Sequence, residues 1–323
     1  MRAGQNPAKF LDERSKKTER ITVAILTYIP YLQGYYAETL EVLKACLWSL
    51  QEHTKLPHDL FVFDNGSGNE TREFLEGLYK EGGIEYLFLS NQNLGKGRAW
   101  DLIFSAAPGE IIAYADSDVY FEDGWLQNAL EVLETYPKVG MVTCRPMRTY
   151  EEGHTATVEW ARQDPGVELD EGGYLDWETF REHDVSLGQD VQQVRKRFES
   201  THDTRITYKG VEAYAGAAHW QFVSYKHVLN QFLPLGIERP LGDDRKLDNA
   251  INEAGYLRLM MTQPLVRHLG NTLPEDLKEG IQSNLSERSA ANTPVGKRLL
   301  NWPPLRRVLL GIYNRIFRWY FYR

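Results

Sequence analysis

From Arg20 onward the apolar residues alternate between two patterns. ITVAILTY (21–28), DLFVFD (59–64), IEYLFLS (84–90), EIIAYA (110–115) and VGMVTCRP (139–146) are short β-rich runs. AETLEVLKACLWSLQEHT (37–54), NETREFLEGLYK (69–80), GKGRAWDLIFSAA (95–107) and GWLQNALEVLETY (124–136) repeat their apolar residues at helical spacing. Strands alternating with helices of this length predict an α/β fold whose mostly parallel sheet is covered on both faces. Between about 150 and 210 the rhythm fails. That acidic segment contains Asp-Pro, Gly-Gly and one predicted helix, DVQQVRKRFES (190–200), and reads as an insertion packed beside the sheet, with an acidic solvated excursion as the alternative. After it come VEAYAGAAHWQFVSY (211–225), a helix near Lys226–Phe232, and DRKLDNAINEAGY (244–256), an amphipathic helix ending at Gly255.

The chemistry falls at strand ends. In open α/β sheets, ligands bind beyond the carboxyl ends of the strands. Tyr28 follows the first strand, Asp64 ends FVFD, and Asp116 and Asp118 stand in ADSD. A lone strand-end Asp is ordinarily a turn or cap residue, but here polar groups from three strands, Tyr28, Asp64 and the Asp116/Asp118 pair, converge on one edge. If the fourth strand continues through Ser117, Asp116 and Asp118 share a face. Ordering two like charges there needs a cation, and oxygen ligands suit Mg²⁺ or Mn²⁺. NLGKG opens a helix whose glycines let backbone approach an anion, with Lys96 and Arg98 adding positive charge.

The motif order VAILTY, SLQEHT, FVFDNGS, NQNLGKGRAWD, GEIIAYADSD, GDDRKLDNAINEAGY and VRHLGN, from Arg20 to Asn271, resembles glycosyltransferase family 2 with its GT-A fold. The resemblance implies a nucleotide-binding set of Thr27, Tyr28, Asp64, Gly95, Lys96, Arg98 and Asp116. Asp64 would meet the base, and Asp116 the ribose and metal. Asp116, Asp118 and His268 are the implied metal ligands. Asp244, with Leu247, Gly255 and Tyr256 in the family's register, is implied as the base that deprotonates the acceptor. Asp243, His219 and Trp220 fall on the acceptor side. Capping of a helix is the alternative reading of Asp243 and Asp244.

Five segments follow. They are an N-terminal arm (1–19), a nucleotide-sugar-binding half (20–149), the insertion as an acceptor-side element (150–210), a catalytic-base half (211–271) and a basic amphipathic extension (272–323). Departures from the family pattern are Ile29 where Asn is frequent, an insertion after it, and Ala250 where Arg is common. RIFRW has Arg315 where the processive Q-x-x-R-W motif needs Gln, which favours single transfers. The expected reaction is inverting transfer from a UDP- or GDP-sugar, with a divalent cation, to a glycan or lipid-linked hydroxyl. A sugar-phosphate nucleotidyltransferase is the first alternative, although the Gly-rich, Arg-containing loop usual after its first strand is replaced by TYIPYLQGYY. A non-catalytic carbohydrate-binding scaffold is the second.

Charge and cysteines refine the setting. The 323 residues carry a formal net charge of −8, which argues against nucleic acid as a partner. The chain after Glu287 holds Lys and Arg but no acid. Cys46 and Cys144 show no metal-binding spacing, and the start has no apolar leader core, so a reducing, cytoplasmic setting is expected. On a helical wheel from Leu305, Arg307, Gly311, Asn314, Arg315 and Arg318 share a narrow wedge. Apart from Arg306, most of the remainder is apolar and exceeds the roughly 100° stripe of a surface helix. The expected role is contact with an anionic membrane surface at the inner face of the cell membrane, or with a second subunit. Deleting Trp302–Arg323 should abolish binding to anionic liposomes while activity in solution survives; undiminished vesicle binding by the truncated protein refutes the membrane reading.

Overall fold

The computed structural model describes residues 17–237 and 245–278. Asp243, Asp244, the N-terminal arm to residue 16 and the extension from 279 lie outside the described residues.

The alternation predicted from the sequence is present. The first unit runs through β1 (Ile21–Thr27), α1 (Thr39–His53), β2 (Asp59–Asp64), α2 (Asn69–Lys80), β3 (Tyr86–Leu89), α3 (Lys96–Ala106) and β4 (Ile111–Asp116). Then come β5 (Val119–Phe121), α4 (Trp125–Thr135) and β6 (Val139–Thr143). The middle segment supplies α5 (Thr155–Gln163), β7 (Val167–Gly172), α6 (Trp177–Ser186), α7 (Val191–Ser200) and β8 (Asp203–Tyr208). The chain returns through β9 (Val211–Ala215), β10 (Gln221–Tyr225), α8 (Lys226–Leu229), α9 (Arg245–Glu253), β11 (Leu257–Met260) and β12 (Val266–His268).

Ten strands form one sheet in the order β3-β2-β1-β4-β10-β6-β11-β9-β8-β7. The pairings β3-β2, β2-β1, β1-β4 and β6-β11 are parallel, and only β10, β9 and β7 run against the common direction. The central strands are buried on both faces, which is why they read as unbroken apolar runs. In β1, Ile21, Val23 and Ile25 join Leu43, Leu47 and Leu50 of α1 and Leu126 and Leu133 of α4 on one side. Ala24 and Leu26 join Trp100, Ile103 and Phe104 of α3 and Leu247 and Ile251 of α9 on the other. Two packed layers therefore clamp the parallel strands and set where their carboxyl ends lie.

Two expectations change. The strand expected to continue through Ser117 ends at Asp116, and residues 117–118 form a turn into β5, which among the described residues pairs with β12 alone. The segment 150–210 contains three helices rather than one. Its strands β7 and β8 extend the main sheet through β9, so it lengthens the sheet as well as packing beside it. The predicted helix at 190–200 is α7, capped by the Asp190 carboxylate, which accepts from the backbone N–H groups of Gln192 and Gln193. Both cysteines are buried free thiols, and burial pushes Cys144 up to about 12. Among the described residues no helix is long and apolar enough to cross a membrane.

Arg258 joins this added segment to the sheet. Its guanidinium is fully buried, pairs with Asp248 at 2.9 Å, and donates to the carbonyls of Ala217 (2.6 Å) and Gly153. Burial, reinforced by nearby Arg258, holds His154 down at about 4. An unfolded histidine takes its proton near pH 6.5, so stability is complete above that value and is lost as pH falls toward 4. Between pH 6.5 and 5 the loss from His154 is roughly 2 kcal/mol. His154→Gln should flatten the pH dependence of urea unfolding over that window; an unchanged slope contradicts the assignment.

Candidate active site at the carboxyl ends of the strands

Asp64 is fully buried at the end of β2, level with Thr27 on β1. Its carboxylate accepts from the Ser67 N–H at 3.1 Å and from Arg72 Nε at 3.1 Å. Arg72 stands early in α2 and also donates to the Ser90 carbonyl and to Asn91 Oδ1. Thr27 Oγ1 is buried without a hydrogen-bond partner among the described residues. Tyr28 is half-buried and meets Tyr36 edge-on at 6.2 Å.

The loop into α3 is braced from within. Asn93 Oδ1 accepts from Gly95 N–H at 2.7 Å and from Asn65 Nδ2 at 3.1 Å, while Asn65 Oδ1 accepts from Leu94 N–H at 2.9 Å. The Gly95 N–H, expected to face an anion, is therefore already engaged. Gly97 has a different purpose: a Cβ there would lie 2.3 Å from Ile237 Cβ, so only glycine lets these surfaces meet. Lys96 and Arg98 separate. Two residues round a helix is about 200°; Lys96 turns to Asp116 at 2.7 Å, whereas Arg98 is exposed on the other side.

Because the chain turns at Ser117, Asp116 and Asp118 do not share one strand face. Asp116 pairs with Lys96 and accepts from the Tyr114 hydroxyl, and its N–H donates to the Trp220 carbonyl at 2.8 Å. Asp118 meets His268 across the β5–β12 ribbon, with Oδ2 3.3 Å from His268 Nε2. The Leu269 N–H donates to the Asp118 carbonyl at 2.7 Å, fixing the two segments. Burial pushes the Asp118 carboxyl up, His268 pulls it down and Asp116 pushes it up again. Asp118 Oδ1 is buried with no hydrogen-bond partner among the described residues. A carboxylate with an unused oxygen beside an imidazole fits Mn²⁺ or Mg²⁺. Among the described residues no group of three His, Cys, Asp or Glu forms a full protein cage. Asp118 and His268 fit as the protein ligands, and Asp116 is directed to Lys96.

The two acceptor-side residues also divide. His219 Nδ1 lies 3.0 Å from Asp248 Oδ2, beside the start of α9 and 6.4 Å from the Trp100 ring. Trp220 is buried and packs on His183 at 5.5 Å and His268 at 5.5 Å, so it walls the Asp118–His268 pair. Burial holds His183 at about 3, and hence neutral. Arg72, Tyr114, Ser186 and His183 are contributors not singled out from sequence. Arg72 follows Asp64 by eight residues in one strand–turn–helix unit, a signal that could have found it. Nothing local marks Ser186.

The glycosyl transferase family 2 model matches residues 35–199, about half of the chain, taking in Asp64, Lys96, Asp116 and Asp118 but neither Asp244 nor His268. An uncharacterized glycosyltransferase of Nostoc sp. is 31% identical over 94 residues, which is 28% of each chain. A mannosyltransferase of Pyrobaculum calidifontis, solved with GDP-Man and Mn²⁺, superposes with a TM-score of 0.43 at 19% identity, covering 77% of this chain and 56% of that one. GalNAc-T7 with UDP, GalNAc and Mn²⁺ gives 0.47 at 14% identity over 87% and 47% of the two chains. TarS 1–349 of S. aureus gives 0.45 at 13% identity over 86% and 68%. The chain thus spans little more than half of that mannosyltransferase.

Removing one partner of a buried pair strands the other charge. Arg72→Met should therefore destabilise the fold by about 3 kcal/mol in denaturant unfolding, with Arg72→Lys costing less. A change within experimental error would mean that Asp64 does not depend on Arg72.

Proposed function

The chain belongs to glycosyl transferase family 2, and from that premise we propose that it moves one sugar at a time, with inversion, from a nucleoside diphosphate donor to an acceptor hydroxyl. The observation that carries this reading is the convergence of Asp64, Asp116 and Asp118 at one rim, two of them matched by basic side chains and the third by an imidazole. In this reading Asp64, Thr27 and Tyr28 receive the nucleoside. Lys96, beside Asp116, supplies positive charge against the diphosphate in this reading. Asp118 and His268 would hold a divalent cation, which would supply charge compensation to a departing diphosphate.

The acceptor oxygen attacks the anomeric carbon as the bond from that carbon to the diphosphate oxygen breaks. The electron pair leaves with the nucleoside diphosphate, and the hydroxyl proton passes to the Asp244 carboxylate. The motif spacing of GDDRKLDNAINEAGY supports Asp244 in that role, with Asp243 beside it orienting the acceptor. His219, held by Asp248, takes an acceptor-side role in this reading. A glycan or lipid-linked acceptor, reached from the membrane surface through the basic extension, completes the proposal.

Nucleoside diphosphates are expected to raise the melting temperature in a Mn²⁺-dependent manner, since a ligand bound only by the folded state stabilises it. Asp244→Asn should abolish transfer while leaving that shift intact. Retained turnover would remove Asp244 as the base, and release of pyrophosphate in place of nucleoside diphosphate would replace the reading with nucleotidyl transfer.

A further inference from the structure

We infer that Ser186, contributed by the segment between 150 and 210, is a positioning residue that dictates which nitrogen of His268 is bare and so readies it for a divalent cation. The inference rests on reading Asp118 and His268 as the ion-holding pair.

The argument is a proton count. Ser186 ends α6, and its Oγ lies 2.6 Å from the His183 carbonyl oxygen and 2.9 Å from His268 Nδ1. A carbonyl oxygen has no proton to give, so the single hydroxyl proton of Ser186 goes to His183. Ser186 Oγ can then meet His268 Nδ1 only as an acceptor. Nδ1 therefore carries the proton, and in the neutral imidazole Nε2 is left with its lone pair. That lone pair points at Asp118 Oδ2, 3.3 Å away. Two electron-rich atoms face each other, with Asp118 Oδ1 buried and unpartnered alongside. A cation is the species that such an arrangement fits.

The placement of Ser186 is over-determined, which separates this role from incidental packing. Glu182, one helical turn earlier, takes Arg145 Nη2 at 2.8 Å on one oxygen and Arg267 Nε at 2.8 Å on the other. Arg145 also donates to the carbonyls of Val266 (3.1 Å) and Thr179 (2.7 Å), tying β12 to α6. Gly270, with φ +70°, passes so close that a Cβ would sit 2.9 Å from the Ser186 carbonyl oxygen. Trp220 and His183 close the remaining sides of the His268 ring at 5.5 and 5.9 Å. Helix α6 thus fixes both the ring plane and the tautomer of a histidine 82 positions away.

An outer hydrogen-bond partner of a metal-binding histidine is typically worth roughly 10- to 100-fold in metal affinity. The test is Mn²⁺ titrated onto the full chain, followed by the EPR signal of free Mn²⁺. It is run with a saturating amount of the nucleoside diphosphate that best raises the melting temperature, against protein-free blanks. Ser186→Ala should weaken Mn²⁺ binding about tenfold, and Ser186→Thr, which keeps the hydroxyl, should restore it. Wild-type affinity in Ser186→Ala, with Asp118→Asn losing the ion, overturns the role of Ser186 and leaves the ion site standing. A loss in Ser186→Ala that Ser186→Thr does not repair assigns the effect to packing and also overturns it. Unchanged affinity in Asp118→Asn overturns the reading of the ion site itself.

Discussion

Carboxylates gathered at one rim of a sheet repel, and the fold offsets part of that repulsion by bringing a cationic side chain to two of them. Two unit charges 4 Å apart interact by about 4 kcal/mol at the effective dielectric of a protein surface. Asp64 and Asp116 are met by Arg72 from α2 and Lys96 from α3, whereas Asp118 faces the imidazole of His268 from β12. Those partners come from both halves of the chain, so the rim exists only once the whole sheet has assembled.

The two apolar layers make that assembly definite. Alternate side chains of β1 enter opposite layers, so a one-residue slip would reverse every contact and move Thr27 and Asp64 out of register. The strands added by the 150–210 segment extend the sheet on its far side, and Arg258 links that extension to α9 through Asp248. Helix α6 then reaches back to the rim through Glu182 and Ser186. The segment is thereby built into the site's geometry from two directions.

The parallel half was legible because doubly buried strands must be apolar throughout and their covering helices must be amphipathic. The positions of Asp64, Asp116 and Asp118 followed from strand ends. The pairing did not. Whether β4 would run through Ser117 depended on β5 finding β12, a contact between residues 119–121 and 266–268 that no local pattern encodes. Lys96 and Arg98 looked equivalent in GKGR, and only the phase of α3 sends one to Asp116 and the other to solvent. The packing of Trp220 against His183 and His268 likewise joins residues far apart in sequence, so no local pattern announces it. Ser186 carries no sequence signal because its meaning arises from one carbonyl and one imidazole brought together by tertiary packing.

The contact between Gly97 and Ile237 has a mechanical consequence. Close-packed surfaces transmit displacement instead of absorbing it, and here backbone on α3 bears directly on a branched side chain. Lys96 is the neighbour of Gly97 on one side of that contact, and the chain beyond Ile237 runs on to Asp243 and Asp244. A displacement of α3 would thus pass to Ile237 without slack, so that the turn carrying Lys96 and the chain at Ile237 behave as one body.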